Sequence, residues 1–351
     1  MSERGTWILY GANGYTGELI ADAAVARGER PILAGRRAEA IAPIAARLGL
    51  EHRVFELESA EHIAEHIDDV DAILLCAGPF ARTAAPVVGA CLVTATHYLD
   101  ITGEIAVFEA CHARSGDAVS AGCVIMPGVG FDVVPTDCLA ASLSEALPGA
   151  EALELAFYGV GSPSKGTAKT MLEGIPNGGA IRRHGRIEEV PLAWKTAEIP
   201  FRDKPRTAVT IPWGDVSTAY YSTGIPDICV YMASPPNMIR GMKLARPFRK
   251  LLGTAPVQRV LARAIDARVA GPNEDTRARG YSQLWGRVTR GEQSVEGTLV
   301  TPEGYRLTVM TALESVIRVA DGQVEAGART PSMGFGSGYI EEFEGCDLQI
   351  G

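Results

Sequence analysis

The first 135 residues alternate short apolar runs with longer stretches in which apolar residues recur at helical spacing. The runs predict six strands, at Thr6–Tyr10, Pro31–Ala34, His52–Glu56, Ala72–Cys76, His97–Ile101 and Cys123–Met126. The stretches between them predict helices, as at Gly17–Arg27, Ala38–Leu48 and Glu104–Ala118. Nearly continuous apolar strands separated by helices are typical of a parallel sheet that is covered on both faces. The pattern therefore predicts an α/β fold with a doubly wound parallel sheet.

The pattern changes after Pro135, where longer strands alternate apolar and polar residues. Examples are Ile228–Ala233, Ser282–Thr289 and Ser294–Thr301. Because alternation is typical of strands with one buried face, we predict a second α+β domain built on a mostly antiparallel sheet. The predicted domains are 1–135 and 136–325, followed by a segment rich in Gly, Ser and Pro at 326–351.

Composition narrows the class of protein. The 351 residues are 46% hydrophobic, which is enough to bury a sizeable core, and no apolar stretch is long enough to span a membrane. A formal net charge of -9 disfavours general nucleic-acid binding. Seven cysteines are scattered without a CxxC pair, and the charged N-terminus lacks an apolar signal region. These features predict a cytoplasmic protein with reduced thiols.

A glycine-rich turn joins the first predicted strand to the first predicted helix and has the sequence Gly11-Ala12-Asn13-Gly14-Tyr15-Thr16-Gly17. In a dinucleotide site, the first glycine allows a tight turn, the second lets a pyrophosphate approach the backbone, and the third lets the helix pack on the strand. The helix N-terminus then offers N–H donors to the anion. The alternative is an ordinary glycine-rich turn, but the position between strand and helix favours a dinucleotide site.

The second predicted strand ends in Gly35-Arg36-Arg37, where NAD-preferring sites usually carry Asp or Glu. Guanidinium groups bind phosphate oxygens well, so the pair predicts NADPH, which carries a 2′-phosphate, rather than NADH. We expect Arg36 to contact this phosphate directly and Gly35 to leave room for that contact. The alternative is that both are solvated charges at a helix start. The fourth strand ends in Cys76-Ala77-Gly78-Pro79-Phe80, where Gly78 and Pro79 either shape the backbone against the cofactor or form a simple turn.

Five motifs together resemble the saccharopine dehydrogenase-like oxidoreductases, and in particular their trans-acting enoyl reductase branch. They are GANGYTG, AGRR, AGPF, HYLDITGE (97–104) and GVGFDVVPTD (128–137). The resemblance implies a Rossmann domain, a second domain that holds substrate and often mediates dimerisation, and a C-terminal segment that returns to the first domain. It implies NADPH as reductant, bound by Gly11, Asn13, Gly14, Tyr15, Thr16, Arg36, Arg37, Ala77, Gly78 and Pro79.

The predicted activity is hydride transfer from NADPH to a polarised double bond, with an enoyl (C=C) group of a lipid or polyketide-type substrate favoured. One alternative is an imine-reducing, saccharopine-type dehydrogenase, for which Arg182, Arg183 and Arg186 are available. Another is a non-catalytic NADPH-binding protein on a lipid surface. A small-molecule or lipid-linked substrate and a homodimer are expected.

The candidate catalytic residues are Tyr98, Asp100 and Asp132. Strand alternation puts Tyr98 and Asp100 on one face at the end of the fifth predicted strand, where either one could donate a proton or support the loop. Asp132 follows the sixth strand and could line the cleft. Glu104 is expected to cap a helix instead. The histidine and cysteine spacings do not predict a metal site.

Residues 239–269 carry eight basic residues against Asp266 alone, with apolar residues at helical spacing. A basic helix with an apolar face can lie on an anionic membrane or receive an acidic carrier protein. The alternative is a helix pair packed on its own domain or on a dimer partner.

Overall fold

The computed structural model describes residues 5–159, 164–269 and 271–351. Contacts divide the chain into two compact units. The first consists of Met1–Val134 and Tyr305–Gly336, and the second of Pro135–Gly304 and Ser337–Gly351.

Strands and helices alternate along the first third of the chain. After that, several strands or several helices follow one another without a regular alternation. The described strands are β1 (Trp7–Tyr10), β2 (Ile32–Gly35), β3 (His52–Val54), β4 (Ala72–Leu75), β5 (His97–Asp100), β6 (Val124–Met126), β7 (Ala152–Gly159), β8 (Gly179–Arg183), β9 (Arg186–Val190), β10 (Thr196–Pro200), β11 (Pro205–Thr210), β12 (Asp227–Ala233), β13 (Tyr281–Arg290), β14 (Gln293–Pro302), β15 (Gly327–Ala328) and β16 (Asp347–Ile350). The described α-helices are α1 (Tyr15–Ala26), α2 (Ala38–Leu48), α3 (Ala60–Ala64), α4 (Phe80–Thr94), α5 (Ile105–Ala113), α6 (Ser115–Ala121), α7 (Val134–Ala146), α8 (Lys165–Gly174), α9 (Asp215–Thr223), α10 (Pro236–Ala245), α11 (Arg249–Leu252), α12 (Ala255–Arg268), α13 (Glu274–Arg279), α14 (Gly304–Ala320) and α15 (Pro331–Phe335). The described 3₁₀ turns span Ile175–Asn177, Arg246–Phe248 and Ser337–Glu342.

The first unit is built on a parallel sheet of seven strands in the order β15-β6-β5-β4-β1-β2-β3. The chain runs outward from β1 to β3 on one side and from β4 to β6 on the other, so the strand order reverses between β1 and β4. In open α/β sheets, ligands bind outside the carboxyl ends of the strands at this reversal. The predicted doubly wound parallel sheet is confirmed.

Both faces of this sheet are buried, because alternate residues of each strand point to opposite faces. Ile8 and Ile73 belong to one apolar cluster, and Leu9 and Leu74 belong to the other. Helices cover each face, and as a result the strands are apolar at nearly every position.

Helix α14 belongs to the first unit, although its residues lie within the predicted second domain, 136–325. Its apolar side chains Ala312, Leu313 and Val316 are buried in the same cluster as Leu9 and Leu74. The chain then adds β15 beside β6 and leaves the first unit after Gly336. The expected return of the segment 326–351 to the first domain is therefore correct up to Gly336 and wrong for Ser337–Gly351, which belong to the second unit, where β16 pairs with β14. The first predicted boundary, at 135, falls one residue from the observed one.

The second unit is built on a mixed sheet in the order β10-β11-β12-β7-β13-β14-β16, with β8 and β9 as a hairpin beside β12. Among the described strands of this sheet, only β7 and β12 pair in parallel. Leu139 and Leu143 of α7 pack closely against Gly297 and Gly286, where the absence of a side chain leaves room for them. The predicted mostly antiparallel second domain is confirmed.

Within the described ranges, no helix combines the length and the apolar character that crossing a bilayer requires. All seven cysteines are free thiols in the structure.

Gly17 lets α1 pack on β1 at the start of the fold, because a Cβ atom there would lie 2.3 Å from the Gly11 carbonyl oxygen. We expect Gly17→Ala to lower the free energy of unfolding by about 1–3 kcal/mol, the usual range for overpacking. Urea denaturation measures the change. The matched control is Gly116→Ala on α6, where a Cβ would meet no atom within 4 Å, so no loss is expected. Equal midpoints for the two variants would contradict this role for Gly17.

Candidate functional site

The glycine-rich turn lies where the carboxyl ends of β1 and β4 approach each other. Gly11 has φ +87°, and a Cβ at this position would lie 2.9 Å from the Ala77 nitrogen and from the Cys76 carbonyl carbon. Gly14 closes the turn by donating its N–H to the Gly11 carbonyl oxygen at 2.9 Å. Only glycine fits at position 11, and the predicted tight turn is present at the strand reversal.

Two helices begin at this edge of the sheet, and their N-termini differ. Helix α1 begins after Gly14 without a capping bond from any side chain in the described part of the chain, so its first turn can present N–H groups to an anion. At α4, the Glu104 carboxylate accepts the N–H groups of Phe80 and Ala81, both at 2.9 Å. A pyrophosphate therefore fits at α1. The structure also confirms that Glu104 caps a helix, although that helix is α4 rather than the helix that Glu104 precedes.

The other turn residues surround this N-terminus. Asn13 is exposed, while Tyr15 and Thr16 are half-buried in the first turn of α1. The Tyr15 ring contacts the Tyr305 ring edge-on, with the centroids 5.0 Å apart. A Cβ at Gly35 would lie 2.8 Å from Cδ1 of Ile41 and 3.4 Å from Oδ1 of Asn13. Gly35 therefore leaves room for Ile41 of α2, and its expected role of leaving room for the contact between Arg36 and a phosphate stays a prediction.

The two arginines after β2 are exposed at the same edge of the sheet. Arg37 directly precedes α2, and its Nε lies 3.9 Å from a carboxylate oxygen of Glu39. Burial raises the pKa of Tyr10 to about 12, and the positive charge of Arg36 acts in the opposite direction, which places that charge close to the end of β1. An exposed guanidinium beside the glycine-rich turn fits the 2′-phosphate of a dinucleotide.

The loop after β4 forms the opposite wall of the turn. Ala77 and Pro79 are half-buried, Gly78 is exposed, and the Gly78–Pro79 peptide bond is cis. The Thr83 hydroxyl donates to the Ala77 carbonyl oxygen at 2.8 Å. Because Gly11 contacts the backbone of Ala77, the structure brings the two predicted cofactor-binding segments together.

Tyr98 and Asp100 lie together at the end of β5, as alternation predicts, but both are fully buried. The Tyr98 hydroxyl donates to Oδ2 of Asp100 at 2.6 Å, and the N–H groups of Thr102 and Gly128 donate to Oδ1 at 2.9 and 2.8 Å. Burial raises the pKa of Asp100 to about 6, although these three donors lower it in part. A buried side chain without access to substrate cannot donate a proton to it, so we assign this pair a positioning role for the loops after β5 and β6.

Asp132 is the candidate catalytic residue that is partly exposed. Its Oδ2 would lie 2.7 Å from a Cβ at Gly103, so Gly103 leaves room for the carboxylate. No residue in the described ranges donates a hydrogen bond to this carboxylate. Burial raises its pKa to about 7. A carboxyl group that is half protonated near neutral pH suits proton transfer.

The structure also brings together one group that the sequence analysis missed. Ligand atoms of His62, Glu65 and His66 lie within 4.8 Å of one another. The spacing was visible in the sequence, because Glu65 and His66 follow His62 by three and four residues, although α3 itself ends at Ala64. The group could hold a metal ion, but exposed acidic groups are common where no metal binds. We assign it no role.

Comparison with known proteins agrees with this geometry. Residues 11–115 match the family model described as NAD(P)H-binding. A trans-acting enoyl reductase of Mycobacterium leprae (strain TN) is 33% identical over 140 residues, which are 37% of this chain and 33% of the relative. One from Mycobacterium bovis (strain BCG / Pasteur 1173P2) is 30% identical over 141 residues, with the same coverage. The matched region therefore spans about a third of these curated relatives.

A solved structure resembles this chain over nearly its whole length. Apo histidine-tagged saccharopine dehydrogenase (L-Glu forming) from Saccharomyces cerevisiae superposes with a TM-score of 0.65 over 99% of this chain and 100% of that chain. The sequence identity is 12%, so this likeness concerns the fold. The resemblance predicted from the five motifs is confirmed. The chain therefore has the fold of this saccharopine dehydrogenase, and its first unit carries an NAD(P)H-binding region that is similar in sequence to part of the trans-acting enoyl reductases.

Proposed function

We propose that this protein is an NADPH-dependent reductase that transfers hydride to the enoyl (C=C) group of a lipid or polyketide-type substrate. The observation that carries this proposal is the uncapped N-terminus of α1 at the β1/β4 reversal, with Arg36 exposed beside it. When bound, NADPH supplies the hydride. The chain would hold its pyrophosphate at Gly11–Gly14, its 2′-phosphate at Arg36 and Arg37, and its other half along Ala77–Pro79.

After hydride transfer to a conjugated C=C bond, the resulting carbanion needs a proton. We assign this proton to Asp132, because its carboxyl group is partly exposed and has a pKa of about 7. The loop that carries Asp132 follows β6. It is positioned in turn by Asp100, which accepts the Gly128 N–H and also the Val129 N–H through its carbonyl oxygen.

The arginines of the second unit favour C=C over C=N reduction. Recognition of an amino-dicarboxylate would need several converging, available guanidinium groups. Arg182 is buried, donates to the carbonyl oxygens of Val216 and Gly185 at 2.8 Å, and stacks on Tyr220. Arg183 pairs with Glu188 at 3.0 Å. Two of the three arginines therefore already have partners within their own unit.

The reaction itself is tested by following NADPH oxidation against a panel of enoyl thioesters, with an aldehyde–amine pair that forms an imine in parallel. Turnover on the thioesters is the expected result. Turnover on the imine alone would overturn the assignment of the substrate. NADPH binding without turnover on either substrate would support a non-catalytic role.

The role of Arg36 is tested by Arg36→Ala. Loss of a charge-assisted bond to the 2′-phosphate should weaken NADPH binding by about 10- to 100-fold and leave NADH binding unchanged. Fluorescence titration of both cofactors measures the two dissociation constants. Arg30→Ala, at the opposite end of β2, is the control and should change neither constant. An equal loss for NADPH and NADH would contradict the phosphate contact.

The role of Asp132 is tested by Asp132→Asn. We expect kcat to fall by about 100- to 10,000-fold while the affinity for NADPH is kept. A general acid acts in its protonated form, so wild-type kcat/KM should be high below pH 7 and fall as the pH rises through about 7. The variant should lose this dependence. A pH profile that the substitution leaves in place would assign the proton to another group.

The positioning role of Tyr98 is tested by Tyr98→Phe. Burial favours the protonated form of Asp100, so this carboxyl contributes most to stability below about pH 4, and its contribution falls as the pH rises through about 6. Without the Tyr98 donor, the ionised form is disfavoured further. We expect a loss of about 2 kcal/mol in urea denaturation at pH 8 and a smaller loss at pH 5. Tyr281→Phe, on an exposed side chain, should change neither. Equal losses at both pH values would argue against this bond.

A further inference from the structure

Large apolar side chains are exposed in one short segment of the second unit. Twelve such side chains are exposed in the described chain, and five of them lie within 23 residues. These five are Met238, Leu244, Phe248, Leu251 and Val260, with exposed fractions of 47%, 74%, 58%, 59% and 64%. They lie on α10, α11, α12 and the 3₁₀ turn that follows α10. We call the exposed faces of residues 236–268 the basic helical surface.

The same faces carry basic residues. No acidic residue occurs between Asp227 and Asp266, although the chain as a whole has a net charge of -9. On α10, the exposed Arg240, Lys243 and Leu244 lie on one face, because residues three and four apart are neighbours on a helix. Arg259, Val260 and Arg263 form the equivalent exposed group on α12. Apolar and basic side chains therefore alternate on both helices.

This surface is fixed to its own unit by other side chains. Ile239 is buried with Ala193 and Val209, and Arg246 donates to the Leu192 and Ala193 carbonyl oxygens at 2.7 and 2.6 Å. On α12, Gln258 donates to the Leu172 and Leu252 carbonyl oxygens at 3.1 and 2.7 Å. The alternative that these helices pack on their own domain is therefore correct for one face. The exposed apolar residues lie on the other.

We propose that the basic helical surface docks the protein on an anionic lipid membrane. Interfacial helices combine apolar side chains, which enter the acyl boundary, with Lys and Arg side chains, which reach the headgroups. The negative surface potential of such a membrane attracts clustered basic residues. The five apolar side chains are spread over three helices and the 3₁₀ turn between two of them, an arrangement that suits a deformable lipid surface better than a single groove on a protein partner.

A second copy of the chain fits this surface poorly. A two-fold symmetric contact places the same patch of both copies face to face, so two strongly basic surfaces would oppose each other. Like charges across an interface are unfavourable. The docking proposal does not depend on the proposed reductase activity.

The test is co-sedimentation of the full chain with vesicles. We expect binding to vesicles of phosphatidylglycerol and phosphatidylcholine, little binding to phosphatidylcholine alone, and weakening as salt is raised. Leu244→Ser with Phe248→Ser and Leu251→Ser should weaken binding at least tenfold, as should Arg240→Glu with Lys243→Glu and Arg259→Glu. All six side chains are exposed in the folded protein, so we expect the variants to fold, which circular dichroism checks. Val93→Ser with Val119→Ser, exposed apolar positions of the first unit, is the matched control and should bind like the wild type.

Four results would overturn the proposal. One is no binding to anionic vesicles at low salt. Another is equal binding by the wild type and both triple variants. The third is loss of self-association in the serine variant, measured by sedimentation velocity, with vesicle binding kept, which would identify the surface as a dimer contact. Binding to an acidic carrier protein without binding to vesicles would likewise replace lipid with that partner. NADPH affinity, measured in the same variants, should not change, which separates this test from that of the reductase.

Discussion

The close approach of the first and fourth strands at their carboxyl ends is the constraint on which the site depends. Gly11 lies against the backbone of Cys76 and Ala77, and Gly17 lies against Gly11, so a side chain at either glycine would push β1, β4 and α1 apart. The contact places the N-terminus of α1 at the reversal of strand order. The anion-binding capacity of the edge thus follows from backbone packing before any side chain contributes.

Three carboxylates near this edge have different surroundings, and the surroundings decide what each can do. Glu104 accepts two N–H groups at the start of α4, which makes it part of the scaffold and removes that helix end as an anion site. Asp100 is buried, accepts hydrogen bonds from three donors and joins the loops that follow β5 and β6. Asp132 has a raised pKa and is partly exposed, which leaves it available for proton transfer. The same functional group therefore caps a helix at Glu104, joins two loops at Asp100 and is the proposed proton donor at Asp132.

Local features were the most predictable from the sequence. The glycine-rich turn, the arginines after β2 and the pairing of Tyr98 with Asp100 all depend on residues close together in the chain, and spacing describes them well. Burial was less predictable, because alternation puts Tyr98 and Asp100 on one face without telling whether that face is covered. The return of α14 to the first unit was missed for a related reason. Its amphipathic pattern predicts that one face is buried, but the partners of that face, Leu9 and Leu74, lie more than 200 residues earlier in the sequence.

The free energy that it costs to bury the Asp132 carboxylate is itself an argument that this residue has a role beyond structure. Burying a carboxylate without hydrogen-bond donors is unfavourable, by about 1–3 kcal/mol for a polar group and more for a charged one. An asparagine or serine at this position would avoid the additional cost of a charge, and Gly103 leaves space that either could occupy. Burial of Asp100 carries the same penalty, but three hydrogen-bond donors offset it, as is expected for a structural carboxylate. A group that lowers stability at neutral pH, beside loops that are otherwise well bonded, is typical of a site where proton transfer requires it.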